Sequence, residues 1–284
     1  MISRRLLRAK VLQILYAFFT KKDVSLQQSE KELYHSIGKT VDLYFYLLLL
    51  AVEIKERAVK IIEIRKNKNF VSDEDVNPNM RFVNNRILAQ IENNEYFTDY
   101  LNNNKMSWVD YPELIKKIQD NINESEQYEK YMNENEDSYQ NDKDFVIFLF
   151  SEVFYNCEDL YQNLEEQSVF WNDDVDFVID TITNSVKQFK ENKVTNRLVT
   201  KTYRKPDDKQ FAQDLLFKSI YRHKEIEKII REQIENWDYD RIAFLDKLIL
   251  LAAITEVLEF SNIPVKASFN EYKIINKVLI LSND

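Results

Sequence analysis

The sequence predicts an all-α protein, and three observations predict it. Of 284 residues only Gly38 is glycine and four are proline, whereas doubly wound and barrel folds need several glycines at tight turns and phosphate loops. Apolar residues recur at three- and four-residue spacing in segment after segment, the period of one helix face. Hydrophobic residues make up 44% and charged residues 31%, the balance of a globular chain long enough for one or two cored domains.

The same composition removes function classes. One glycine cannot build a Gly-rich phosphate loop of either common kind. Two histidines, His35 and His223, and one cysteine, Cys157, cannot supply a multi-His/Cys zinc site. Cys157 lies in an apolar helical run and reads as a buried, inert thiol; a chain without a cysteine pair fits a reducing cytosol. No carboxylate, His or Cys constellation rises above helix-surface background, so an enzyme is not expected, and no cofactor is implied.

The first helix, Ser3 to Phe19, carries Arg4, Arg5, Arg8 and Lys10 and no acid, in a chain of net charge -9. Leu7, Val11, Ile14 and Phe18 form its apolar stripe, and Ser3 is its expected N-cap. Four cations at a helix N-terminus oppose the macrodipole, each at a cost of a few tenths of a kcal/mol. A stable docked helix would carry acids there, so the cations point to a polyanion. Gln13 interrupts the apolar run and no small-residue cleavage site follows, so a signal peptide is not expected. The richest later run, Leu43 to Val52, is half of what spans a bilayer; the expectation is a soluble, cytoplasmic protein without membrane contact.

A long helix is expected from Gln27 to Lys68, with Gly38 marking close helix packing or a mild kink inside it. Loop composition covers Asn67 to Asn79. Helices follow at Met80–Leu101 and at Trp108–Met132, the latter with Pro112 near its start. Asn133 to Asp144 reads as a solvated acidic turn, and Phe145–Leu164 and Asp173–Glu191 as helices. The carboxylates that open the last of these read as helix-start electrostatics rather than a metal cluster. After a breaker-rich connection, Lys193 to Asp208, come helices at Lys209–Tyr221, Lys224–Asn236 and Tyr239–Phe260, and a last one from near Ser268.

At the C-terminal block a family becomes visible. Trp237, Arg241, Asp246, Ile249, Leu250, Ala252 and Glu256, then Ile263, Pro264, Asn270 and Glu271, follow Phe211 and Leu215 in an order and spacing that fit closely. Together with Arg4, Arg5, Arg8, Leu12, Gln13, Leu15 and Tyr16, this block resembles the transcription antitermination factor NusB family. The resemblance covers residues 3–20 and 207–271. It implies a NusB-like helical bundle in which residues 1–20 form a basic RNA-binding helix, 21–206 a large helical insertion, and 207–284 the C-terminal bundle. The tail, YKIINKVLILSND, departs from the family's pattern of further helices, so the resemblance implies a bundle lacking its last helix, with Leu248, Ile254 or Val257 partly uncovered.

The resemblance further implies binding of boxA-type RNA together with ribosomal protein NusE, within a transcription elongation complex and chiefly during ribosomal RNA transcription. On that reading Arg4, Arg5 and Arg8, with Lys10 beside them, meet phosphates and Tyr16 a splayed base; Gln13 meets a base edge or braces neighbouring helices, and Asp246 is RNA-proximal or arginine-orienting, or else a surface carboxylate of an amphipathic helix. Asn270 and Glu271 read as caps or braces of the last helix. A non-catalytic helical protein-interaction scaffold is the alternative. A ribosomal RNA methyltransferase, which shares a related helical domain, falls for want of glycines and catalytic cysteines.

Overall fold

The computed structural model describes residues 2–68, 72–193, 198, 201–233 and 238–281, the side chains of residues 74 and 277–281 excepted. Trp237 lies outside the described residues. The elements are helices: α1 (Arg4–Thr20), α2 (Leu26–Lys66), α3 (Asp73–Val76), α4 (Arg86–Glu92), α5 (Glu95–Asn104), α6 (Pro112–Asn123), α7 (Glu126–Asn133) and α8 (Tyr139–Phe148). A π-helical turn (Leu149–Phe154) continues α8. Then come α9 (Glu158–Gln167), α10 (Val175–Lys187), α11 (Asp208–Gln233), a 3₁₀ turn (Tyr239–Arg241), α12 (Phe244–Glu259) and α13 (Val265–Leu281). The protein is all-α, with an isolated bridge between Ile2 and Tyr203.

The chain divides into two compact units, residues 1–38 with 201–284, and residues 39–200. The start of α2 therefore groups with α1 and the C-terminal helices. In this first unit α1 packs on α11, α12 and α13, and α11 packs on α12. Leu7, Val11 and Ile14 are buried as their spacing predicts, against a core that includes Leu33, Ile37, Phe211, Leu215, Leu248 and Ala252. Of the three residues expected to be partly uncovered, Leu248 is buried while Ile254 and Val257 are half-buried. Helix α11 runs unbroken through the expected break at Arg222–His223, because no proline or glycine interrupts its ladder. Helix α13 begins directly after Pro264, three residues before Ser268.

In the second unit the run Leu43–Val52 is buried throughout, the signature of a helix enclosed on all sides. Its aromatics find specific partners. Tyr46 stacks on Trp108 at 4.0 Å, and the indole Nε1 donates to the Tyr46 carbonyl at 2.9 Å. Phe45 stacks on Tyr100, also at 4.0 Å. Among the described residues no helix is long and apolar enough to cross a membrane.

Three expected helices are each broken in two here, and local capping explains two of the breaks. Asn94 caps α5 by accepting from Phe97 N, and Ser125 caps α7 by accepting from Tyr128 N, so each offers the backbone an alternative to continuing the preceding helix. The third break, after the π-helical turn, falls at Asn156–Cys157, where Cys157 opens α9 without a side-chain cap. The expected solvated turn at Asn133–Asp144 is corrected as well. Ser138 caps α8, and Asp142 is buried, accepting from Tyr131 Oη at 2.7 Å and from the Arg86 backbone N–H at 3.1 Å.

Gly38 shows neither close packing nor a break, since a Cβ built there meets no atom within 4 Å. Gly38→Ala is therefore expected to stabilise the chain by about 0.5–1 kcal/mol through reduced backbone freedom of the unfolded state. Urea unfolding checks this, and a lowered midpoint contradicts the open environment.

Candidate nucleic-acid interface

Ser3 opens α1 by accepting from Leu6 N at 3.3 Å. The first turn holds no acid, and the unfavourable cations are met instead by carboxylates from elsewhere in the first unit. Arg4 donates through Nε to Asp208 at 2.8 Å and through Nη2 to Asp207 at 2.7 Å, with its guanidinium 4.7 Å above the Phe211 ring. Arg5 donates through Nε and Nη2 to the two oxygens of Glu271 on α13, at 2.6 and 3.0 Å. Arg8 makes the same two-pronged contact with Glu256 on α12, at 2.7 and 2.6 Å.

These pairs differ in setting, and the setting decides their roles. Arg8 is 4% exposed and Glu256 0%. The Glu256 oxygens also accept from Ser268 Oγ at 2.6 Å and from Tyr272 Oη at 3.2 Å. Four donors thus fill a group that can only accept, so the buried charge is fully satisfied. Burial pulls the Arg8 pKa down, but the hydrogen bond and charge of Glu256 outweigh it and the net direction is up. Burial, then the Glu256 charge, holds the Tyr272 phenol protonated well beyond its ordinary range. The Arg5–Glu271 pair is wetter, with Arg5 51% exposed, and pairs of that kind are worth only about 0–1 kcal/mol.

The cations read from sequence as one basic patch are therefore split. Arg8 and Lys10, the latter 1% exposed, are buried and do not form part of a solvent-facing surface; Arg8 is turned toward Glu256 of α12. Arg5 is exposed, and Arg4 and Gln13 are partly so. Tyr16, three turns beyond Arg5, is 48% exposed and meets Phe244 edge-on at 5.5 Å. Phe244 is itself exposed at the start of α12. Nearby in sequence, Tyr239 is flanked by Arg231 and Lys247, at 4.1 and 4.7 Å from its ring. Asp246 lies half-buried in the first turn of α12, where an acid suits the helix dipole.

Sequence reasoning missed Phe244 as Tyr16's ring partner, and Asp207, Asp208 and Glu256 as the holders of Arg4 and Arg8. Glu256 did leave a trace, as an acid on the buried face that Ile249 and Ala252 define. Glu271 braces α13 against α1, as expected. Charge is also unevenly divided: residues 1–38 and 201–284 hold 21 Lys/Arg and 17 Asp/Glu, residues 39–200 hold 18 and 31. The first unit is thus net positive and the second net negative.

Among the described residues no group of three or more His, Cys, Asp or Glu is placed to hold a metal ion. Of the carboxylates opening α10, Asp176 accepts from Tyr161 Oη at 2.6 Å and Asp174 is buried, accepting from Thr40 Oγ1. Cys157 is buried, and burial pushes its thiol pKa up.

The contrast between the pairs is measurable. Glu256→Gln is expected to cost roughly 3–5 kcal/mol by leaving Arg8 buried without a counter-charge, while Glu271→Gln costs at most about 1 kcal/mol. Chemical denaturation of both variants checks this, and equal losses contradict the division.

Residues 174–279 match the NusB family model. The transcription antitermination protein NusB of Salinibacter ruber is 35% identical over 66 residues, 23% of this chain and 41% of that protein. The protein of the same name from Methylacidiphilum infernorum is 43% identical over 65 residues, 22% of this chain and 45% of that protein. That from Bacillus pumilus is 33% identical over 61 residues, 22% and 47% respectively. The chain thus spans less than half the length of these curated relatives. No solved structure matches it. The matched residues begin within the expected insertion and do not include α1. The matched residues hold α10 through most of α13.

Proposed function

We propose that this chain is a non-catalytic transcription antitermination factor whose first unit binds boxA-type RNA together with ribosomal protein NusE. It would act in the transcription elongation complex, chiefly on ribosomal RNA. One observation carries the reading: α1 presents exposed or partly exposed arginines at one end and an exposed aromatic pair, Tyr16 with Phe244, about 16 Å further along. Arginines neutralise phosphates without reading sequence, and rings offer faces to unstacked bases. Gln13 stands between them with donor and acceptor capacity. Arg8 and Lys10 are buried and make no RNA contact in this reading, and Asp246, half-buried in the first turn of α12, lies two residues from Phe244 in sequence.

The names of the relatives support the antitermination role, and the charge division supports the first unit as the RNA side. The acidic balance of residues 39–200 also favours a second reading, in which that unit is an interaction scaffold for protein partners.

Titration of boxA-type RNA against the full chain tests the proposal. Arg5→Ala is expected to weaken binding and reduce the log–log salt slope by about 1. Tyr16→Ala is expected to cost about 1–3 kcal/mol with the slope unchanged, as loss of a stacked base does. Unchanged affinity and slope in both variants contradict the proposal. Retention of NusE with no added effect of RNA favours the scaffold.

A further inference from the structure

Resting on that reading, we infer that Glu271 and Asp207 are built-in competitors for the RNA phosphates, and that RNA binds by exchanging phosphodiester oxygens for their carboxylates. Both exposed faces of the arginine pair are occupied in the free protein. Glu271 takes Nε and Nη2 of Arg5, the two-pronged edge that a phosphodiester's non-bridging oxygens would use. Asp207 takes Nη2 of Arg4, and its own side chain is 60% exposed.

Placement separates replaceable partners from fixed ones. Asp208 is 2% exposed and also accepts from the backbone N–H of Lys205 at 2.8 Å, so it holds Arg4 in place whether or not RNA is bound. Glu256 is sealed in the core with Arg8. Glu271 and Asp207 are the carboxylates on these arginines that water reaches, and water-exposed pairs exchange readily. The Arg5 hydrogen bond, ahead of its charge, holds the Glu271 carboxyl below the usual carboxylate range, so the competitor stays ionised at neutral pH.

Two consequences follow. A single small anion must displace a carboxylate already in register and gains nothing by doing so. A polynucleotide displaces two at once and is anchored further along by Tyr16, so the competitors select for a contiguous strand over free phosphate. They also lower the apparent affinity of the chain for any polyanion that lacks a base to stack.

The experiment compares boxA-type RNA binding by the full-length wild type, Glu271→Gln, Arg5→Ala and the double variant across a salt series. Glu271→Gln keeps the size and an accepting oxygen but removes the charge. It is expected to bind about three- to tenfold more tightly at low salt, and the double variant is expected to lose that gain. Wild-type binding that Arg5→Ala weakens, with Glu271→Gln no tighter than wild type, overturns the exchange inference and leaves the RNA reading standing. A gain that survives in the double variant overturns it too, because the effect then does not pass through Arg5. Absence of RNA binding by wild type and Glu271→Gln alike overturns the RNA reading and the inference with it.

Discussion

The Arg8–Glu256 pair is the constraint on which the first unit depends. One end belongs to α1 at the chain's start and the other to α12, 248 residues later. Ser268 and Tyr272 of α13 donate to the same carboxylate, so one buried group ties three helices. An apolar core alone would permit α1 to slide or rotate on its neighbours. A buried charge with four fixed donors tolerates little such movement, because each broken contact leaves a charge uncompensated. The pair therefore sets the rotation of α1, and that rotation decides which of its cations reach solvent.

Much of the fold was legible because helix formation leaves local traces. Glycine scarcity and the Leu7, Val11, Ile14 spacing reported the all-α class and the docked face of α1. The Leu43–Val52 run reported a helix buried on all sides. The breaks at Asn94 and Ser125 had signals too, as each is a capping residue, but a long apolar period masked them. Glu256, Asp142 and Lys10 were harder to read, because the burial of a charged residue depends on partners far away in sequence. The same reason makes the basic patch misleading. Arg5 and Arg8 look alike in a string of letters, and only the positions of Glu271 and Glu256 distinguish an exchangeable surface pair from a core pair.

The proposed function follows from the division this creates. Cations that oppose the α1 dipole are tolerated because each arginine has an acid supplied by another element of the first unit. Where that acid is buried the arginine serves stability, and where it is exposed the arginine stays available to a competing anion. In the proposed function the exposed aromatic pair at the far end of α1 offers its ring faces to bases. The second unit, rich in carboxylates, carries a net negative charge that in this proposal disfavours RNA there.

Photocrosslinking of boxA-type RNA to the full chain, with the modified peptides identified by mass spectrometry, tests the account most directly. It predicts adducts on peptides that contain Tyr16 and Phe244, with few within residues 39–200. Adducts concentrated in residues 39–200, with α1 and the start of α12 unmodified, would contradict it.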